Sequence, residues 1–258
     1  MRLKILTLNL HCLEENNIEL NQKTIIDEIL KRDVDIIFLQ EVAQIRIENI
    51  YNTIHNDNYA LKIQKGLKNE GVNYYLYFEP IKESFGKYDE GLAIISKYPL
   101  NEVNSKLISK TADYSNWKTR KILTGKMTFS DNLHITIGTS HFGWSDGYEV
   151  FEDQFDLAND ELIDSSIALI AGDFNILNTS EEYKYICNKG WIDIFKETTY
   201  FAKPTFRGDS QNNNVERIDY VFINNSFKLI DNEILFIDTR VSDHYGVYAE
   251  IDLFMGEY

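Results

Sequence analysis

Short apolar runs that stop on a polar or charged residue recur along the chain, and they limit its fold more than any other feature. They are LTLNLH at residues 6–11, IIFLQEV at 36–42, EGLAIIS at 90–96, GTSHFGW at 138–144, LIAGDFNIL at 169–177, RIDYVF at 217–222 and SDHYGV at 242–247. Runs of this size, rich in branched and aromatic residues and bounded by turn formers, predict β-strands. A buried strand that ends in a carboxylate must hand the charge to a metal, a partner or water, because an unpaired buried charge is too costly. Strand ends are therefore where a site is expected, as in sheets whose ligands bind beyond the strand termini.

Strands are expected at residues 4–10, 35–40, 74–78, 92–96, 122–129, 133–140, 168–171, 218–223 and 247–252. Helical periodicity predicts helices at 20–32, 43–56, 148–164 and 181–188. The third is expected to start from Ser145 and Asp146 with Glu149 reciprocating, and the fourth from Thr179 with Glu182 in the same role. Early alternation of strand and helix, followed by strand pairs on short turns, predicts a layered α/β or α+β protein with mixed sheets. No repeat, low-complexity tract or linker interrupts the chain. Residues 209–214 are expected to form a polar surface loop, and 1–258 a single domain with a core large enough to need no disulfide.

Composition narrows the compartment and the partners. Cys12 and Cys187 have no paired spacing and are expected to be free thiols in a reducing environment. Thr7, Asn9 and His11 break the apolar start, so no signal peptide is expected, and the protein is placed in the cytoplasm. With 26 Lys plus Arg against 41 Asp plus Glu, the net charge is −15. Such a field repels polyanions and anionic lipid, so neither nucleic acid nor membrane is expected as a partner; oligomeric state is not legible.

Among the strand-end residues, a single Asp or Asn is ordinarily a turn residue. Glu41 is harder to dismiss, because the run 34–39 is almost wholly apolar and the acid emerges directly from the core. His141 and His244 each sit at a strand end beside small or turn-forming residues, whereas His11, His55 and His134 are expected to be structural or exposed. The segment NWKTRK at 116–121 is a basic island in an acidic chain. Arg120 is its candidate phosphate clamp, since a guanidinium grips phosphate oxygens bidentately.

In this order, Asn9, the QE of Glu41, EGLAIIS, SH, GDFN, RIDYVF and SDHYGV resemble the endonuclease/exonuclease/phosphatase superfamily over nearly the whole chain. The resemblance implies a four-layer sandwich of the DNase I-like type: two mixed β-sheets face to face, helices outside, one cleft at the strand ends. It implies a metal-dependent phosphoesterase using Mg²⁺, or Mn²⁺ in its place, held by Glu41, Asn9 and Asp243. It implies that Asp173 aligns or deprotonates the attacking water, that Asn175 donates to a phosphoryl oxygen, that Asp219 orients His244, and that Glu90 is the partner of His141.

NWKTRKIL, HFGW and the following FEDQF resemble the maltose 6'-phosphate phosphatase subgroup. That resemblance implies a phosphomonoesterase for a phosphorylated sugar or similar small metabolite, with Trp117 and Trp144 flanking the cleft and Tyr114 and Tyr148 as weaker candidates. The alternatives are a phosphodiesterase acting on nucleic acid or a phospholipid headgroup, and a noncatalytic binding protein of the same fold.

Overall fold

The structure is a computed structural model describing residues 1–47, 53–130, 133–163, 165–207 and 216–253. The first half runs β1 (Arg2–Asn9), α1 (Ile18–Arg32), β2 (Ile36–Ile45), α2 (Tyr59–Asn69), β3 (Tyr75–Ser84), β4 (Tyr88–Ser96), β5 (Asn101–Leu107) and β6 (Lys121–Ser130). The second half runs β7 (Leu133–His141), α3 (Phe151–Asp160), β8 (Ala168–Asp173), α4 (Glu181–Asn188), β9 (Ile192–Asp193), β10 (Asp219–Ile223), β11 (Phe227–Leu235) and β12 (Gly246–Leu253).

The strands form two 6-stranded sheets, ordered β11-β12-β1-β2-β4-β3 and β5-β6-β7-β8-β10-β9. Each sheet holds one parallel pair, β1 with β2 and β7 with β8, and the remaining pairs are antiparallel. A parallel pair cannot be joined by a tight turn, and here α1 and α3 make the two crossovers.

Strand periodicity decides which residues meet. Leu3 and Ile5 of β1, Ile36 and Phe38 of β2, Leu92 and Ile94 of β4, Ile135 and Ile137 of β7, Leu169 and Ala171 of β8 and Val221 and Ile223 of β10 share one core between the sheets. The alternate residues of the first sheet, such as Leu6, Leu8, Ile37 and Leu39, pack under α1 and α2. Their counterparts Ile122, Ile170, Tyr220 and Phe222 pack under α3 and α4. Two sheets face to face with helices outside give the expected four layers, and each buried Leu or Ile contributes roughly 1.5–3 kcal/mol.

Each expected strand is present, but several helical readings need correction. No helix covers the described part of 43–56: β2 runs on to Ile45 against β4, and residues 48–52 lie outside the described residues. The helix of this region is α2, started by Asn58, whose side chain accepts from the Leu61 amide. α3 begins only at Phe151, because the Asp146 carboxylate is spent on the amides of Tyr148 and Glu149 in a turn before the helix. Ser180, not Thr179, caps α4 by accepting from Tyr183. Strands β5, β9 and β11 add to the expected set, and the polar run 209–214 lies outside the described residues.

Candidate active site

The inward face of the sheets changes character as it approaches one end of the sandwich. Beyond the apolar core lies a polar layer, in which Gln40 Nε2 donates to Thr7 at 3.1 Å and to Thr139 at 2.9 Å. One more step of two residues along each strand gives Asn9 on β1, Glu90 on β4, His141 on β7, Asp173 on β8 and Asp219 on β10. The alternation that builds the core thus delivers these side chains to the same space.

Glu41 breaks that rule to join them. It lies not at the end of β2 but within it, at a bulge between Leu39 and Val42, with φ of 47°. The extra residue lets Gln40 keep its place in the polar layer while Glu41 reaches Asn9. On the other sheet, Gly172 allows a close approach: a Cβ there would lie 2.1 Å from the Ser140 carbonyl oxygen.

Asp173 is the hub. Its Oδ2 accepts from Asn9 Nδ2 at 3.0 Å and its Oδ1 from the Asn175 amide at 3.0 Å, while Asn9 Nδ2 also donates to Glu41 Oε1 at 2.9 Å. Asp173 Oδ2 further lies 3.5 Å from His141 Nε2 and 3.7 Å from His244 Nε2. His244 Nδ1 is bonded to Asp219 Oδ2 at 2.9 Å. Asn175 Nδ2 donates to the Phe142 carbonyl at 2.8 Å and lies 3.1 Å from His141 Nε2.

Burial and neighbouring charge set the protonation states. Burial pushes Asp173 up to about 7, with Asp219 and Glu41 adding to the rise and His244 opposing it. Burial alone would depress His244, but Asp219 and Asp173 outweigh it and raise the imidazole to about 10. His141 is held well below its usual range by burial and by Arg120, Lys82 and His244. The site therefore contains one imidazolium and one neutral imidazole at pH 7. Burial and then Glu90 raise Glu41.

Some expected roles are redistributed. Glu90 does not reach His141: its Oε1 pairs with Lys82 Nζ at 2.8 Å, and the enclosed Nδ1 of His141 has no hydrogen-bond partner among the described residues. Asp243 is grouped not with Glu41 but with His11 and Glu15, its Oδ1 standing 3.7 Å from His11 Nδ1. Arg120 is only 4% exposed, and its Nη1 donates to the carbonyls of Trp117 and Thr119, so it stands in the wall of the site rather than at its mouth. Lys121 pairs with Glu79 across the sheets. Trp117, Trp144 and Tyr148 are exposed, and the Lys118 ammonium lies over the rings of Trp117 and Tyr148. Tyr114 instead donates its hydroxyl to Asp89.

Three neighbours of the site are hidden or easily set aside at the level of sequence. His11 is half-buried at the rim, bonded to Glu15, rather than remote from the chemistry. Cys12 lies 3.8 Å from Glu41 Oε2 and 3.7 Å from Glu90 Oε2, with burial pushing its thiol far up. Lys82 sits in a run, YFEPIKES, that offers no motif. His11 alone has a visible signal, two residues beyond Asn9 in LTLNLH.

The donor set fits a hard divalent cation. Asp173 and Asp219 are buried acids, the partly exposed Glu41 is joined to Asp173 through Asn9 Nδ2, and Asp219 Oδ1 is enclosed with no partner among the described residues. Oxygen-rich sites of this kind suit Mg²⁺ or Mn²⁺ better than a softer metal. Cys12 and Cys187 are both free, and no helix among the described residues is long and apolar enough to cross a membrane.

The fold has many counterparts among solved structures. An endonuclease/exonuclease/phosphatase family protein from Leptotrichia buccalis C-1013-b superposes with a TM-score of 0.88 at 23% identity, covering 97% of this chain and 100% of that one. The catalytic domain of human Nocturnin with bound sulfate gives 0.68 at 18% identity, covering 98% and 94%. D. rerio TDP2 complexed with a single strand DNA product gives 0.66 at 18% identity, covering 97% and 99%. A comparison with curated protein sequences gives no significant match.

One expectation falls with these comparisons. The exclusion of nucleic acid rested on net charge, yet the same fold accommodates a DNA product in TDP2. Net charge governs the field at distances beyond the screening length, whereas cations and aromatic faces at the cleft decide at contact. The matching sequence-family description, Endonuclease/Exonuclease/phosphatase family, spans residues 6–244 and encloses every site residue from Asn9 to His244; this chain belongs to that family, and it is a metal-dependent hydrolase with the family's two-sheet fold.

Proposed function

We propose that the chain is a divalent-metal-dependent phosphodiesterase, and that its substrates include single-stranded nucleic acid or a nucleotide-like diester. The observation that carries this reading is the placing of Asp173 between two imidazoles, with its carboxylate held by Asn9 and by the Asn175 amide. A carboxyl group near neutrality both aligns a water and takes its proton during attack at phosphorus. The His244 imidazolium, fixed by Asp219, supplies positive charge for the phosphoryl oxygens, and Asn175 a neutral donor. Arg120 adds charge from the wall.

Glu41 is the acid we assign to hold the cation, Mg²⁺ or Mn²⁺, with Asn9 positioning it. When bound, the cation supplies charge neutralisation and stabilises the leaving oxygen. Exposed Trp117, Trp144 and Tyr148, with Lys118 over two of the rings, favour stacking against a base, which typically contributes about 1–3 kcal/mol per base. The likeness to TDP2, which carries single-stranded DNA, supports the same substrate class.

A second reading is favoured by the same indoles. An aromatic face accepts a sugar ring as well as a base, so a phosphomonoesterase for sugar phosphates of the maltose 6'-phosphate kind remains in competition. Two free thiols suit a reducing cytoplasm.

The deciding experiment incubates the protein with Mg²⁺ or Mn²⁺, and again with EDTA. Its substrates are a single-stranded oligonucleotide, bis-p-nitrophenyl phosphate, p-nitrophenyl phosphate and a sugar-phosphate panel. Diester cleavage lost with EDTA is the expected result. Phosphate release from sugar phosphates alone, with the diesters intact, overturns the diester reading in favour of the second.

A further inference from the structure

Lys82 is a buried cation in the acid cluster for which the hydrolytic reading has no task. Its side chain is 8% exposed and its Nζ lies 2.8 Å from Glu90 Oε1, on a carboxylate whose side chain is 7% exposed. Local backbone geometry makes the pair. β3 carries a bulge between Pro80 and Lys82, which brings Lys82 into register with Glu90 on β4. The bulge closes tightly over Gly91: a Cβ there would lie 2.0 Å from the Glu79 carbonyl oxygen, so the arrangement requires glycine.

Glu90 stands within reach of a second task. Ligand atoms of Cys12, Glu41 and Glu90 all lie within 4.8 Å of one another, so Glu90 is placed to join Glu41 around a single cation. Nearby, His141 Nδ1 is enclosed and makes no hydrogen bond among the described residues, with Glu41 Oε1 3.8 Å away, although a closer carboxylate would suit it. Lys82 competes with both for Glu90, holding its Oε1. A buried carboxylate engaged by an ammonium at 2.8 Å does not readily give up that partner, because the ammonium would be left buried and unpaired.

We propose that Lys82 is a positioning residue that withholds Glu90 from the metal, so that the pocket beside Glu41 offers one free carboxylate rather than two. The inference rests on the metal-dependent reading of the site and deepens it. Mg²⁺ is ordinarily held by one or two carboxylates and keeps several waters, leaving positions for substrate oxygens. A second glutamate on the same cation would tighten its hold and fill a position that the substrate needs. Lys82 therefore exchanges cation affinity for turnover.

The test is a double-mutant cycle read by isothermal titration of metal-free protein with Mn²⁺, with turnover of bis-p-nitrophenyl phosphate alongside. Wild-type protein that binds no Mn²⁺ overturns the metal-dependent reading itself. Given binding, Lys82→Met is expected to hold Mn²⁺ about tenfold tighter or more, since a like charge is removed and a carboxylate is released in a buried site. Its kcat is expected to fall. In the Glu90→Gln background, Lys82→Met is expected to gain much less.

Affinity in Lys82→Met within about twofold of wild type overturns the inference. So does an equal gain in the wild-type and Glu90→Gln backgrounds, which would mean that Lys82 acts by charge alone. Should Lys82→Met fail to fold, Lys82→Leu carries the same cycle, since it too removes both the charge and the donor to Glu90.

Discussion

His141 and Asp173 are register partners on the parallel strands β7 and β8, and their side chains meet with Nε2 3.5 Å from Oδ2. Both lie on the inward face, so core packing fixes their approach before any substrate arrives. Asp173→Asn keeps the size of the side chain and an oxygen for the Asn175 amide, but it removes the base. Turnover should fall by about 10²–10⁴-fold. Metal-free Asp173→Asn should melt at or above the wild-type temperature, because a carboxyl pushed up to about 7 by burial is a destabilised group. Near-wild-type kcat in the folded variant would remove Asp173 from the reaction.

The His244–Asp219 pair sets a pH dependence of stability in metal-free protein. The folded imidazole is raised to about 10 from an ordinary value near 6.5. Its stabilisation is therefore complete below pH 6.5 and is lost as pH rises toward 10. Asp173, raised to about 7, has finished titrating by then. Between about pH 8 and 10 the melting temperature in EDTA should decline, and more gently in Asp219→Asn, where the raising charge is gone. Parallel slopes for the two proteins would show that the proton is held elsewhere.

What could be read in advance follows from period and position. LIAGDFNIL places Asp173 two residues past the apolar inward Ala171, and GTSHFGW places His141 two residues past Thr139 of the polar layer, so strand alternation predicts that both side chains face inward. Helical periodicity misleads around 43–56, where Ala43 and Ile45 belong to the continuation of β2 beyond its bulge. A bulge shifts the period by one residue and leaves little mark in the sequence. The Lys82–Glu90 pair is invisible for that reason: the β3 bulge decides which residue faces Glu90. α2 is legible, since Ala60, Ile63 and Leu67 hold helical spacing behind Asn58, but the expected helix at 43–56 obscures it.

Gly91 ties that geometry to stability. A methyl group at this position meets the backbone carbonyl of Glu79 at 2.0 Å and its carbon at 2.8 Å, and neither atom can rotate away. The β3 bulge must open, at a cost of about 1–3 kcal/mol. For a chain of this size each kcal/mol lowers the melting temperature by about 2–4 °C. Gly91→Ala should therefore melt several degrees below wild type. Gly86→Ala, where a Cβ has no neighbour within 4 Å, has only its φ of 67° against it and should lose less. Equal losses at the two positions would refute the packing argument.

The last prediction concerns where the cation binds. Glu41 is raised by burial and by Glu90, so the metal-free site stores repulsion that a divalent ion relieves. Saturation at about 100 times Kd stabilises the folded state by about 2.7 kcal/mol, which corresponds to a rise of several degrees in Tm. Glu41→Gln should abolish most of that rise. Its own Tm in EDTA should match or exceed wild type, because a buried charge has been removed. Thermal melts with and without Mg²⁺ measure both quantities. A full rise in Glu41→Gln would move the ion to another acid group, and the candidate is then the rim cluster of His11, Glu15 and Asp243.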